Sequence, residues 1–440
     1  MPSPLALLGG TPAVPPDAVR PWPPTGPRDE ERVLDALHSG VHAWGAHCEA
    51  LQAEWASWNG NRFCMATNSG TAALHMALAA CGAGAGDEVL TPAYSWTSSV
   101  SCILHHNAIP VFVDVEPTWA NIDPARIEEA ITPLTKAILI VHLHGVPADM
   151  EAIAEIAARH GLAVVEDCCQ AHGALHQGRK VGTLGDCAAF SLNQNKMLCA
   201  GEGGLFVTDD AARLERGRAL ALFGDFRRPP YDEGEAHYGL GWMYRCNELN
   251  AAFARAQLER LDENIAHARR LFGALRERLA GVPGLVLPTE PEWAAENGYN
   301  FVCHVDPEGV GYAGPANVLR EAVVCALAAE GVPAMVWQRR VLPEMAAVRS
   351  RNAYGGGSPW RESGSTVRYD PARFPMSLYH SATYFIVGGL RLPNTVETAG
   401  LIADAVLKVF RHLPSLDIDA VGHSADVSLY ERGWRRHRAD

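Results

Sequence analysis

From Thr71 onward the chain alternates between stretches with helical spacing of apolar residues and short apolar runs, and this alternation limits the fold more than any other feature. Helical periodicity at Thr71–Ala80, Ser98–His105, Pro124–Ala130 and Met150–His160 is interleaved with strand-like runs at Glu88–Thr91, Pro110–Asp114, Ala137–His142 and Leu162–Glu166. Strands joined by helical crossovers pair in parallel and carry helices on both faces. The expected fold class is α/β, with a mainly parallel central sheet and a ligand site at the carboxyl ends of its strands.

The 440 residues exceed one ordinary domain, and 48% of them are hydrophobic, enough for a large core. Residues 1–27, rich in proline, read as an extended arm of the kind that lies on a partner subunit. Residues 28–280 form the large domain, opening with two helices between Arg28 and Trp58 that break at His38-Ser39-Gly40. A long helix marked by Phe253, Ala256, Leu258, Leu261 and Ile265 runs towards Leu279 and stops at Gly281-Val282-Pro283-Gly284. Residues 281–440 make a smaller domain, with a strand at Tyr299–Val305 and helices near Val318–Glu330 and Glu397–Leu413. Its aperiodic stretch 349–369 reads as a mobile surface loop.

With 50 acidic residues against 37 scattered basic ones, the net charge of −13 argues against a nucleic-acid partner. The 11 cysteines lack the spacing of a disulfide scaffold, and the opening has neither a leader pattern nor a spanning segment. A reduced, cytoplasmic protein without membrane association is the expectation.

Lys196 has the clearest chemical meaning. It follows the strand-like run Ala188-Ala189-Phe190-Ser191 and precedes Gly201-Glu202-Gly203-Gly204, with no other basic residue between Lys180 and Arg213. Burial there lowers a lysine's pKa, and a neutral amine attacks an aldehyde carbon, although an arbitrary lysine in a loop is more often merely solvated. Upstream, an apolar run ends in Glu166-Asp167, followed by Cys168-Cys169-Gln170-Ala171-His172-Gly173. An aspartate at that place either caps the next helix or keeps a pyridine nitrogen protonated. In Thr67-Asn68-Ser69-Gly70-Thr71, small residues open a helix whose free N–H groups suit a phosphate, or form an ordinary cap. Thr91-Pro92-Ala93-Tyr94-Ser95-Trp96 puts two aromatic rings just after a strand, where one can stack on a flat ligand or fill the core.

Taken in order, these four segments resemble the DegT/DnrJ/EryC1/StrS family of aminotransferases, within the fold-type I pyridoxal-phosphate enzymes. The likeness runs from about Leu8 to Phe410 and is most specific at Ser191 to Gly204. It implies pyridoxal 5′-phosphate as cofactor, held as a Schiff base on Lys196, with Asp167 on the pyridine nitrogen and Gln170 near the phenolic oxygen. Ser191, Gly70 and Thr71 would bind the phosphate, and Trp96, with Tyr94 in reserve, would stack on the ring. It further implies a homodimer with shared active sites, glutamine or glutamate as donor, and a keto-sugar, keto-cyclitol or related cyclic ketone as acceptor. Lysine at 196, where related sugar dehydratases have histidine, points to transamination. The run Ser191 to Lys196 and the early Gly9-Gly10-Thr11-Pro12 are similar to the branch holding 3-amino-5-hydroxybenzoate synthases and cyclitol aminotransferases, which implies antibiotic-type biosynthesis. Another reaction on the same cofactor, and a noncatalytic partner or ligand sensor, stand as the alternative readings.

One segment departs from the family. Its Gly-x-Asn-x-Arg, whose asparagine reaches the neighbouring subunit's phosphate, is here Gly241-Trp242-Met243-Tyr244-Arg245. A thioether donates no hydrogen bond, so the expectation is weaker cofactor retention or a substitute donor, Trp242 or Tyr244, with Arg245 and Glu248 structural. His142 and His144 have no third ligand near in sequence, so no metal is expected, and one of them could border a substrate pocket. Trp44-Gly45 is either a substrate contact or a packed surface residue. Arg391 is expected in a surface salt bridge in preference to a donor carboxylate.

Overall fold

In the computed structural model, which describes residues 4–224 and 240–424, the central sheet has seven strands. Their order is Phe63–Thr67, Gly204–Thr208, Cys187–Ser191, Ala163–Asp167, Thr135–Val141, Glu88–Pro92 and Ile109–Val113. Gly204–Thr208 runs antiparallel to both neighbours, and every other pair is parallel. The strands are apolar along their length because both faces are covered: Ile138 and Ile140 enter one core, while Ala137, Leu139 and Val141 enter the other. Helix Met150–His160 closes the first face through Ile153 and Ile156, and helix Gly70–Ala80 lies on the second.

A second, four-stranded antiparallel sheet lies beyond Gly281, in the order Leu285–Val286, Phe301–Val305, Tyr384–Val387 and Ala334–Met335. Helices Ala316–Ala329 and Val396–His412 cover it. The last turns of helix Leu261–Leu279 bury Leu271, Phe272, Leu275 and Leu279 in the same core, tying the two parts together.

The described part of the N-terminal arm packs on its own chain. Glu330, fully buried, accepts the amides of Ala6 and Ala13, each at 2.8 Å, and pairs with Lys408 at 2.9 Å. Leu5 and Val14 enter the second core.

Three further expectations are corrected. The single helix after Asn250 is two, Glu248–Leu258 and Leu261–Leu279. Arg260 leaves helical geometry between them and reaches Asp29 at 2.8 Å and the Pro24 carbonyl. Pro124–Ala130 is a pair of short 3-10 turns, since Asp123 caps only the first before the chain turns. The stretch 349–369 is anchored: Trp360 is buried, Tyr354 Oη donates to Leu104 and Tyr369 Oη to Pro110, fixing it over the sheet edge. Aromatic anchors widely spaced in sequence carry no periodicity, so the pattern alone could not reveal them.

Replacing Glu330 by Gln leaves Lys408 without its carboxylate, bonded only to the Thr11 carbonyl, and removes one of two accepting oxygens from the arm. The expected cost is ~2–4 kcal/mol. A lowered thermal midpoint with proteolysis starting before residue 20 is the predicted result, and an unchanged midpoint would contradict this packing.

Candidate active site

The carboxyl ends of the central strands converge on Lys196. The strand Cys187–Ser191 delivers Ser191, and the loop after it is fixed by Leu192 N–H to Gly203 and Gln194 N–H to Gly201, both at 2.8 Å. Lys196 is thereby turned inward, with Nζ 3.2 Å from Tyr299 Oη. Three distant segments close over it. Trp22 of the arm donates its indole N–H to the Lys196 carbonyl at 3.1 Å, and Arg391 donates to the carbonyls of Asn195 and Tyr299. The Arg391 guanidinium stands 4.8 Å from the Tyr299 ring and 5.5 Å from the Trp22 ring. Among the described residues it pairs with no carboxylate, which corrects the expected surface salt bridge.

Asp167 is buried at the end of its strand. Its Oδ1 accepts the Cys169 amide at 3.0 Å, and the Cys169 thiol lies against the same carboxylate. Burial raises its pKa, against the Cys169 thiol and amide and Lys196. Burial alone would lower Lys196, but Tyr299, Cys169 and Asp167 outweigh it, so its pKa lies above the ordinary lysine value. That reverses the expected direction. Sequence could not give it, because these partners come from elsewhere in the chain. Tyr299 in particular lay unnoticed at the head of an expected strand, which begins instead at Phe301.

The start of helix Gly70–Ala80 seats directly against Ser191. A Cβ on Gly70 would stand 2.7 Å from Ser191 Cβ, and one on Gly204 would stand 2.3 Å from the Ser69 carbonyl oxygen. Only glycine at both places lets the helix end approach the strand this closely. Ser69 Oγ caps the Ala72 amide, leaving the Gly70 and Thr71 amides without acceptors among the described residues. Thr71 Oγ1 lies 2.9 Å from Ser98 Oγ.

Trp96 is 43% exposed, whereas Tyr94 is 1% exposed, its hydroxyl donating to the Gln338 carbonyl. Tyr94 packs in the core, and Trp96 is the more accessible of the two rings. Gln170 is buried and accepts the His144 amide through Oε1 at 2.7 Å.

These groups fit pyridoxal phosphate. A buried carboxylate without a paired cation matches a protonated pyridine nitrogen, and unpaired helix-end amides beside a serine match a phosphate. Lys196 lies between, and an accessible indole is at hand for a flat ring.

Other singled-out residues are structural. His142 Nδ1 accepts the Ala148 amide, so Nε2 carries the proton and donates to Glu166 at 3.0 Å. Burial alone would raise Glu166, but His142 and the Gly182 and Gly185 amides outweigh it and hold the carboxyl low. Cys168 lies near this pair, whose lone pairs are thus already engaged. Glu248 accepts the amides of Gly45, His47 and Cys48, and Trp44 packs against the core. Of the two substitute donors, Tyr244 Oη is paired with His75 Nδ1 at 3.0 Å, while the Trp242 indole is half-exposed and unpaired among the described residues.

A model of the DegT/DnrJ/EryC1/StrS aminotransferase family matches residues 24–358. The chain belongs to that family. Among its DegT/DnrJ/EryC1/StrS relatives is the L-glutamine:2-deoxy-scyllo-inosose aminotransferase of Streptoalloteichus tenebrarius, 35% identical over 94% of this chain and 99% of the relative. The L-glutamine:scyllo-inosose aminotransferase of Streptomyces griseus is 37% identical over 81% of this chain and 85% of its own. Among solved structures, 3-amino-5-hydroxybenzoic acid synthase superposes with a TM-score of 0.75 at 30% identity, over 88% of this chain and 98% of that one. Family membership makes the protein an aminotransferase with the fold-type I architecture.

Burial pushes three histidines near this site down, His172 and His304 to about 3 and His380 to about 4. Their folded pKa lies below the unfolded value of about 6.5, so the unfolded chain takes up protons first as pH falls. Stability should hold above pH 6.5 and decline below it, by up to ~1.4 kcal/mol per pH unit for each histidine. Urea midpoints measured between about pH 7 and pH 5 check this; a flat profile would contradict it.

Proposed function

We propose that this protein transfers the amino group of glutamine to the carbonyl of a cyclic polyhydroxylated ketone of the inosose kind, in secondary-metabolite biosynthesis. The observation that carries it is the convergence of Lys196, Asp167 and the open start of helix Gly70–Ala80 at the carboxyl ends of the central strands. The names of the relatives supply donor and acceptor.

Ser191 and the amides of Gly70 and Thr71 would hold the phosphate of pyridoxal phosphate, Asp167 its ring nitrogen, Gln170 its phenolic side and Trp96 one ring face. Bound there, the cofactor supplies an electron sink for the charge left when a proton leaves a carbon next to nitrogen. Lys196 Nζ takes that proton from the donor's α-carbon and returns one to the aminated product, serving as tether and as acid and base. An N–H paired with Asp167 offsets one of the neighbours that hold the Lys196 pKa up, alongside Tyr299 and Cys169, and so shifts the balance towards the neutral amine. Arg391, without a carboxylate of its own, offers its remaining N–H groups to the donor's carboxylate.

The working unit in this reading is a homodimer. Leu240, Trp242 and Met243 expose apolar surface on the segment whose Tyr244 carbonyl accepts the Asn68 amide, beside the phosphate site, and Trp242 replaces the missing asparagine as donor. Eleven free thiols accord with a reducing cytoplasm. Among the described residues no helix is long and apolar enough to cross a membrane.

Purified protein given pyridoxal phosphate, glutamine and scyllo-inosose should yield the amino-cyclitol by mass spectrometry. Lys196→Ala should lose at least ~10²-fold in rate. Turnover with nucleotide-linked ketosugars alone would overturn the acceptor class, and failure to consume glutamine or glutamate would overturn transamination in favour of another reaction.

A further inference from the structure

We propose that Trp337, seated beside Trp96, offers an aromatic face to the ring of the cyclic acceptor, and that His144 donates its Nε2–H to an oxygen of that ring. This rests on the aminotransferase reading above and names the residues that select the second substrate.

Trp337 follows the strand Ala334–Met335 of the second sheet, yet its ring lies at the mouth of the site on the first. It stands 5.8 Å from Trp96 at an interplanar angle of 32° and meets His144 edge-on, 5.4 Å away at 80°. Three hydrogen bonds fix its segment without engaging its own side chain. Tyr94 Oη donates to the Gln338 carbonyl and Gln338 Nε2 to the Ser95 carbonyl, each at 3.2 Å, and Leu342 N–H donates to Ala93 at 2.8 Å. Trp337 is thus held beside Trp96 by hydrogen bonds to main-chain carbonyls that join the two parts of the molecule. Paired indoles present flat, weakly polar faces that suit the C–H faces of a saturated ring.

His144 makes the second, independent observation. It is 1% exposed and lies in a tight turn at φ 59°, stacked on Tyr384 at 4.8 Å. Asn300 Nδ2 donates to its Nδ1 at 3.2 Å and Tyr384 Oη approaches the same nitrogen at 3.4 Å, so the proton sits on Nε2. That buried N–H has no acceptor in the described structure. Leaving a buried donor unmade costs ~1–3 kcal/mol, and a site retains such a group where a ligand completes it. The His144 amide is also the donor to Gln170 Oε1, which places the free N–H next to the proposed cofactor contacts.

The surroundings suit an uncharged ligand. Arg320 and Arg339 both pair with Glu321, at 2.7 and 2.9 Å, and burial keeps His304 and His380 neutral. Arg340 is the one unpaired cation of this segment among the described residues, fewer than a diphosphate commonly engages. A neutral polyol ring meets a hydrogen-bond donor in His144 and a stacking face in Trp337 here.

The test separates the two half-reactions. In Trp337→Ala the KM for scyllo-inosose should rise at least ~10-fold, while glutamine-driven loss of the Lys196-dependent visible band stays within about twofold. Trp337→Phe should keep most of the acceptor affinity, which distinguishes a lost ring face from a lost fold. His144→Phe retains the stack on Tyr384 without the N–H and should lower kcat/KM for the acceptor alone, by ~10-fold. Quenching of tryptophan fluorescence by scyllo-inositol, which cannot be aminated, should be present in wild type and absent in Trp337→Ala. An unchanged acceptor KM in Trp337→Ala, or equal loss in both half-reactions with an unaltered thermal midpoint, would overturn the platform. Unchanged kcat/KM in His144→Phe would overturn the donor. If the wild type itself shows no half-reaction with glutamine, the aminotransferase reading fails, and this proposal falls with it.

Discussion

A carboxylate buried at the end of the central sheet, with no cation paired to it among the described residues, is the constraint on which the site depends. Asp167 lies on a strand with parallel partners on both sides, and its carbonyl is already used by the His142 amide. An isolated buried carboxylate is costly unless a cation or hydrogen-bond donors meet it. Its neighbour Glu166 has the opposite fate, since alternate residues of a strand face opposite ways: there the carboxylate is saturated by His142 and the amides of Gly182, Leu184 and Gly185. One member of the adjacent pair stabilises the fold, and the other is left open for a ligand.

The rest of the site is an assembly of parts far apart in sequence. Glycine at 70 and 204 brings a helix end against Ser191, the arm brings Trp22 over Lys196, and the second sheet's neighbourhood brings Tyr299 and Arg391. Because these contacts span both sheets, the geometry around Lys196 depends on how the two parts pack. The same joint carries Trp337 to the mouth of the site. Cofactor contacts come mainly from the parallel sheet, whereas the groups facing a second substrate come from the connection between sheets.

The sheet and most crossovers were legible in the sequence because both-face burial writes continuous apolar runs and amphipathic helices write a 3.6-residue period. Lys196, Asp167, Gly70, Thr71 and Ser191 were legible because each sits at a strand end or helix start within a short motif. Tyr299, Trp337 and the pairing of His144 with Asn300 were not, since each depends on contacts more than 100 residues apart. The direction of the Lys196 shift was misread for the same reason: burial is foreseeable from a local run, but the neighbours that outweigh it are supplied by the fold. The break at Arg260 likewise answers to Asp29, which no local pattern in the helix records.

Everything proposed for the site requires the cofactor's carbon to be bonded to Lys196. Borohydride reduction of the protein saturated with pyridoxal phosphate, followed by peptide mapping, tests it without relying on any substrate. The account predicts a single stoichiometric label on the peptide containing Lys196, lost in Lys196→Ala. A label on Lys180, whose Nζ lies 3.5 Å over the Trp58 ring on another face, or spread over several lysines, would contradict it.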